Sequence, residues 1–214
     1  DVIDQQAAAA RQIRVCSAPG ANAAAVAEHT WALILACAKS VLPLDARLRA
    51  GFWDKSTHTS IELEGRVLGL IGLGAIGSRV ARIGNALGMR VVAYDPFARE
   101  LPPACESVNS LESLLAQADV VSLHCPLTES NREMINADTL AKCKPGAILV
   151  NTARGGLINE AALADALQSG KLHWAALDSF SAEPLTAPHR WQGISNVILS
   201  PHIGGVSDAS YIRM

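Results

Sequence analysis

Four polar residues stand just after apolar runs in the second half of the chain: Arg154 in LVNTARGG, Asp178 in ALDSF, Glu183 in SAEPL and His202 in ILSPHIGG. Histidine titrates near neutrality, so it can pass a proton to or from an oxygen. A carboxylate beside it favours the imidazolium and fixes its orientation, a role open to Glu183. A guanidinium can take a carboxylate through two parallel hydrogen bonds and polarise the adjacent carbonyl, a role open to Arg154. Taken singly, each has a plainer reading: a solvated loop arginine, a carboxylate capping the turn before Pro184, a histidine closing a strand.

Upstream, GLIGLGAIGSRVA holds Gly72, Gly74 and Gly77 as G-x-G-x-x-G, where an apolar run meets a helical pattern. The three glycines suit a tight turn, close backbone approach to a pyrophosphate, and close helix-to-strand packing. The helix that follows would offer N–H groups and partial positive charge to the phosphates. An ordinary tight strand-to-helix turn reads the same way. The next apolar run, MRVVAYD, ends in Asp95 at the offset of about 20 residues expected of a carboxylate on ribose hydroxyls. Asp95 would repel a 2′-phosphate, so NAD is favoured over NADP. Downstream of such a site, the arginine, glutamate and histidine are what a hydride transfer to or from nicotinamide requires for the accompanying proton.

The elements that must position these groups are legible too. RVLGLIG, MRVVAYD, ADVVSLHC, GAILVNT, HWAALD and NVILS read as strands. Between them lie helical patterns, such as Ile76, Val80, Ile83 and Leu87, then Leu111, Leu114 and Leu115, then Ala161, Leu163, Ala166 and Leu167. Asn159 is placed to cap the last of these and Gly170 to stop it. Continuous apolar strands alternating with helices predict a Rossmann-type, doubly wound α/β domain with a parallel sheet. Ligands of such sheets bind beyond the carboxyl ends of the strands, where all four polar residues fall. Before this domain, residues 1–12 read as an Ala-rich helix, IRVC as a strand, and AAAVAEHTWALILACAKS as a long buried helix. The first helix and strand lack partners, which predicts the trailing edge of a second domain. The opening on Asp1, without an initiator methionine or signal segment, predicts a piece of a longer protein.

Composition removes other classes. The 214 residues are half apolar, enough for one sizeable core. Eighteen basic against twenty acidic residues, unclustered, predict no nucleic-acid partner. The longest apolar stretch, Trp31 to Ala38, falls short of the ~20 residues of a membrane span. Five scattered cysteines without a C-x-x-C pair predict no metal site, no disulfide frame and a cytoplasmic protein.

In VAEHTWALIL, GLIGLGAIGSRVA, VVAYDP, DVVSLHCPLT, GAILVNTARGGLINEAALADAL, AALDSFSAEPL and NVILSPHIGG, taken in this order, the chain resembles the NAD-binding domain of the D-isomer-specific 2-hydroxyacid dehydrogenases. Within the family it is most similar to the 3-phosphoglycerate and hydroxypyruvate dehydrogenase group. The resemblance implies Arg154, Glu183 and His202 as the catalytic residues. It implies Ala75, Ile76 and Asp95 at the cofactor's phosphates and ribose, beside the glycine turn, with Pro126 along the adenosine. Thr152, Ala153, Asp178 and the backbone around Gly204 would surround the nicotinamide. It further implies a small 2-hydroxy or 2-keto acid substrate and a homodimer through the AEHTWALILACAKS helix. Residues 1–19 would then be the tail of a substrate domain, 20–206 the NAD-binding domain, and 207–214 the start of a returning helix capped by Ser207 or Asp208. Ser17 departs from the family's common asparagine. An NAD-responsive binding module of the corepressor type, which shares the fold and the same three residues, remains the alternative.

Overall fold

The computed structural model describes residues 3–213. Seven strands form one parallel sheet: β1 (Val67–Ile71), β2 (Arg90–Tyr94), β3 (Cys105–Ser107), β4 (Val120–Leu123), β5 (Ala147–Asn151), β6 (Leu172–Leu177) and β7 (Val197–Leu199). Their order is β3-β2-β1-β4-β5-β6-β7. The winding reverses between β1 and β4, which opens a crevice at their carboxyl ends.

Helices cover both faces. On one lie α2 (Ala23–Lys39), followed by α3 (Val41–Arg49), and α4 (Gly77–Ala86); on the other lie α5 (Leu111–Gln117), α6 (Ala137–Lys142) and α7 (Glu160–Gln168). The central strands therefore bury alternate residues against different helices. In β5, Ile148 and Val150 pack with Trp31, Ile34 and Val80, while Leu149 packs with Leu114, Leu140 and Leu163. Burial on both sides is why these strands are apolar throughout rather than alternating. The caps of α7 are as expected: the Asn159 side chain accepts from the Ala162 amide, and Gly170 has φ +75° just past the last turn.

Several expectations are corrected. Ile13–Cys16 is not a strand; Ile13 and Val15 are exposed, and no described strand runs alongside to complete a ladder. The N-terminal helix is shorter than expected, α1 (Gln5–Ala10), capped by the Asp4 carboxylate, which accepts from the Ala7 amide; Asp1 and Val2 lie outside the described residues. Three elements had no reading in the sequence: β3, α3 and α6. Each is short, and β3 is a three-residue edge strand with only Cys105 buried. At the other end, α8 (Asp208–Arg213) is capped by Ser207, whose hydroxyl accepts from the Ser210 amide, while Asp208 is its first residue. Among the described residues no single helix is long and apolar enough to cross a membrane.

Candidate active site

The glycine turn follows β1, and its three glycines differ in kind. Gly72 has φ +97°, and a Cβ there would lie 2.8 Å from the Cys125 nitrogen. A Cβ on Gly77 would lie 2.2 Å from the Gly72 carbonyl oxygen, so the first turn of α4 rests directly on the strand end. Gly74 has nothing within 4 Å, leaving its backbone open to an incoming group. Ile76 supplies no side-chain cap to α4, so the helix start is free to hold an anion. Asp95, at the end of β2, is fixed on this turn. Its Oδ2 accepts from the Leu73 amide at 2.8 Å and its Oδ1 from the Phe97 amide at 2.8 Å. The carboxylate keeps further lone pairs for hydroxyl donors.

Beside this turn lies a cleft of about 710 Å³ at the carboxyl ends of β4, β5 and β6. Its walls include Ile76, Pro126, Thr152, Ala153, Arg154, Asp178 and His202, all named from the sequence. Gly204 is set back from the wall: its amide donates to Asp178 Oδ2 at 2.7 Å, and a Cβ there would meet the same oxygen at 2.8 Å. The wall also contains Asn22, Val26, His124, Cys125 and Leu127, which sequence reasoning missed. His124 and Cys125 directly follow β4, so the rule that ligands sit beyond strand ends could have found them. Asn22, just before α2, and Val26, in its first turn, come from outside the strand-end loops, and no local signal marks them. The His124 ring meets the Ser122 hydroxyl at 2.9 Å through Nε2, while its Nδ1 is shielded from solvent without a partner. Burial pushes this imidazole down to about 3 and keeps it neutral.

The three candidate catalytic residues come together although they lie on three different loops. His202 Nδ1 meets Glu183 Oε2 at 2.7 Å, which leaves Nε2 as the ring nitrogen available to a ligand. Glu183 is held from behind, its Oε1 accepting from the Phe180 amide at 2.8 Å. Burial raises the Glu183 carboxyl, but the hydrogen bonds from His202 and Phe180 and the charges of His202 and Arg154 outweigh it, so the group sits below the usual carboxylate range. His202 itself adopts φ +57°, a left-handed conformation uncommon outside glycine. Asp178 stabilises that turn, accepting from the Ile203 amide at 3.0 Å and from that of Gly204. Arg154 follows β5 and donates from Nη1 to the Ala153 carbonyl at 2.8 Å. Its neighbour Gly155 is pressed onto the Phe180 carbonyl, where a Cβ would lie 1.9 Å from the carbon. That close approach brings the Arg154 loop to the Glu183 loop.

The arrangement fits a dinucleotide: an open glycine turn, an uncapped helix start, a fixed carboxylate at ribose distance in sequence, and a cleft leading to a histidine–carboxylate pair. A model of the D-isomer specific 2-hydroxyacid dehydrogenase NAD binding domain matches residues 31–204. The hydroxypyruvate reductase of Thermotoga maritima is 46% identical over 206 residues, which are 95% of this chain and 67% of that protein. The D-3-phosphoglycerate dehydrogenase of Mycobacterium leprae is 42% identical over 206 residues, but the chain spans only 39% of its length. Among solved structures, the D-lactate dehydrogenase of Aquifex aeolicus, complexed with NAD and lactic acid, superposes with a TM-score of 0.88 at 35% identity, covering 100% of this chain and 69% of that one.

Proposed function

The chain belongs to the D-isomer-specific 2-hydroxyacid dehydrogenase family, and on that premise we propose that the protein is an NAD-dependent oxidoreductase interconverting a small D-2-hydroxy acid and its 2-keto acid. The observation that carries this reading is the 2.7 Å His202–Glu183 pair at the end of a cleft that also presents Arg154. NAD, when bound, supplies the nicotinamide that carries the hydride. Gly72, Gly74, Ala75, Ile76 and Gly77 are placed for its phosphates and Asp95 for its adenosine ribose, with Pro126 on the adenosine side. Thr152, Ala153, Asp178 and the turn at Gly204 bound the inner end of the cleft.

In reduction, Arg154 grips the substrate carboxylate and draws electron density from the adjacent carbonyl. His202 gives the Nε2 proton to the oxygen as it becomes a hydroxyl, and Glu183 stabilises the imidazolium before transfer. In oxidation the same histidine takes the hydroxyl proton. Hydroxypyruvate and phosphohydroxypyruvate are the first substrates to try, because the relatives named above act on such acids by their names. Residues 1–19 and 207–214 are assigned to the boundary with a substrate-binding domain.

A homodimer is proposed through α2 and its neighbours. Val41, Leu42, Leu48, Phe52 and Trp53 form an exposed apolar set on and after α3, directly following α2. The decisive assay follows NADH absorbance in full-length protein with hydroxypyruvate, phosphohydroxypyruvate, glyoxylate and pyruvate. Turnover with at least one is expected. NADH binding without turnover of any would replace this reading with an NAD-responsive binding module.

A further inference from the structure

Two adjacent residues of α2, His29 and Thr30, lie outside the cofactor and catalytic sets, yet each reaches a different catalytic loop. Thr30 is fully buried; its hydroxyl donates to the Val26 carbonyl at 2.8 Å and lies 2.8 Å from the Thr152 hydroxyl. Either hydroxyl can donate in the Thr30–Thr152 bond, and in both directions the bond ties Thr152 to α2. Thr152 lines the cleft wall two residues before Arg154. His29 Nε2 lies 3.0 Å from the Ser200 hydroxyl and 3.3 Å from Asp178 Oδ1. Both groups meet the same ring nitrogen. Asp178 is the group that holds the Ile203 and Gly204 amides, and Ser200 stands two residues before His202.

We propose that His29 and Thr30 are paired positioning residues, through which α2 sets the relative placement of the His202 turn and the Arg154 turn. The structure offers a reason for placing them on one helix. The two turns end different strands, β5 and β7, which share no ladder because β6 lies between them. The Gly155–Phe180 approach and the His202–Glu183 pair join the two turns through the Glu183 loop, and α2, which packs on both β5 and β6, adds a second brace from the helix layer. The inference rests on the proposed reductase reading for its catalytic consequence, but its structural content can be tested without turnover.

In the first arm, amide hydrogen exchange is read by NMR in this chain. Thr30→Val should accelerate exchange at Ala153 by about tenfold or more and leave Ile203 and Gly204 unchanged, and His29→Leu should do the reverse. Thr30→Ser and His29→Gln, which keep a hydrogen-bonding group in place, should restore much of the protection. Unchanged exchange at these amides overturns the proposal. So does acceleration that extends equally to the β1 amides, since that would report lost global stability.

In the second arm, kcat, KM and NADH affinity are measured in full-length protein. Each disruptive variant should lower kcat by about tenfold. NADH affinity should fall less than kcat, because His29 and Thr30 touch Thr152, Ser200 and Asp178 but neither the glycine turn nor Asp95. Wild-type kcat in both variants overturns the proposal while leaving the reductase reading intact. Local exchange effects in the variants, beside a wild-type protein that turns over no keto acid, would support the bracing by α2 and overturn the reductase reading instead.

Discussion

At the scale of single residues, the site depends on how each polar group is held. His202→Asn removes the proton donor while leaving the glycine turn and Asp95 in place. It should lower turnover by about 10²- to 10⁴-fold and spare NADH affinity; unchanged kcat would refute the role. Glu183→Gln keeps an oxygen for the Phe180 amide but removes the charge beside His202, and steady-state kinetics should show kcat reduced by about tenfold or more. Residue types and their places after apolar runs were enough to name Arg154, Glu183 and His202. Their partners were less legible. Asp178 was expected at the nicotinamide, but it also ties down the left-handed turn at His202, a backbone role that no spacing reveals. His124 went unnoticed because one histidine in an apolar run says nothing until the run is known to end at a cleft.

At the scale of elements, the glycines separate two kinds of contact. Gly74→Ala adds a methyl into open space, so urea unfolding should show stability changed by no more than about 0.5 kcal/mol. NADH titration should nonetheless show affinity weakened by about tenfold or more, because the methyl obstructs the approach of the phosphates. Gly155→Ala should behave differently. Its methyl would fall 1.9 Å from the Phe180 carbonyl carbon, and parting the two loops should cost about 1–3 kcal/mol in the same unfolding experiment. The first contrast was partly legible, since the G-x-G-x-x-G spacing already assigned different jobs to its glycines. The second was not, because Gly155 and Phe180 meet only when β5 and β6 are side by side. The IRVC misreading has the same origin: strand composition is local, but a strand exists only with a partner to hydrogen-bond.

At the scale of the whole molecule, His124 links the cleft to stability. An unfolded histidine titrates near its ordinary value of about 6.5, whereas burial holds the folded one down to about 3. The unfolded chain therefore binds more protons between those values, so this contribution to stability is complete above about 6.5 and declines as pH falls toward about 3. The decline is at most about 1.4 kcal/mol per pH unit, or about 2 kcal/mol between pH 7 and pH 5. Urea titrations at those two pH values should show that difference shrinking by a similar amount in His124→Gln. For the proposed dimer, sedimentation should return twice the 22.5 kDa chain mass, and Leu42→Lys with Leu48→Lys should return the monomer. The sequence by itself determined the parallel α/β class, the glycine turn with Asp95 as its distant partner, and the identity of the candidate catalytic residues. These depend on patterns repeated along the chain: apolar runs buried on both faces, helical periodicity, and fixed offsets within a single strand–helix–strand unit. Tertiary structure alone decided that His202 meets Glu183 through Nδ1, that Gly155 locks onto Phe180, and that α2 reaches both catalytic turns. Those contacts join residues from 19 to 171 positions apart, and they exist only once the strand order has set which loops are neighbours.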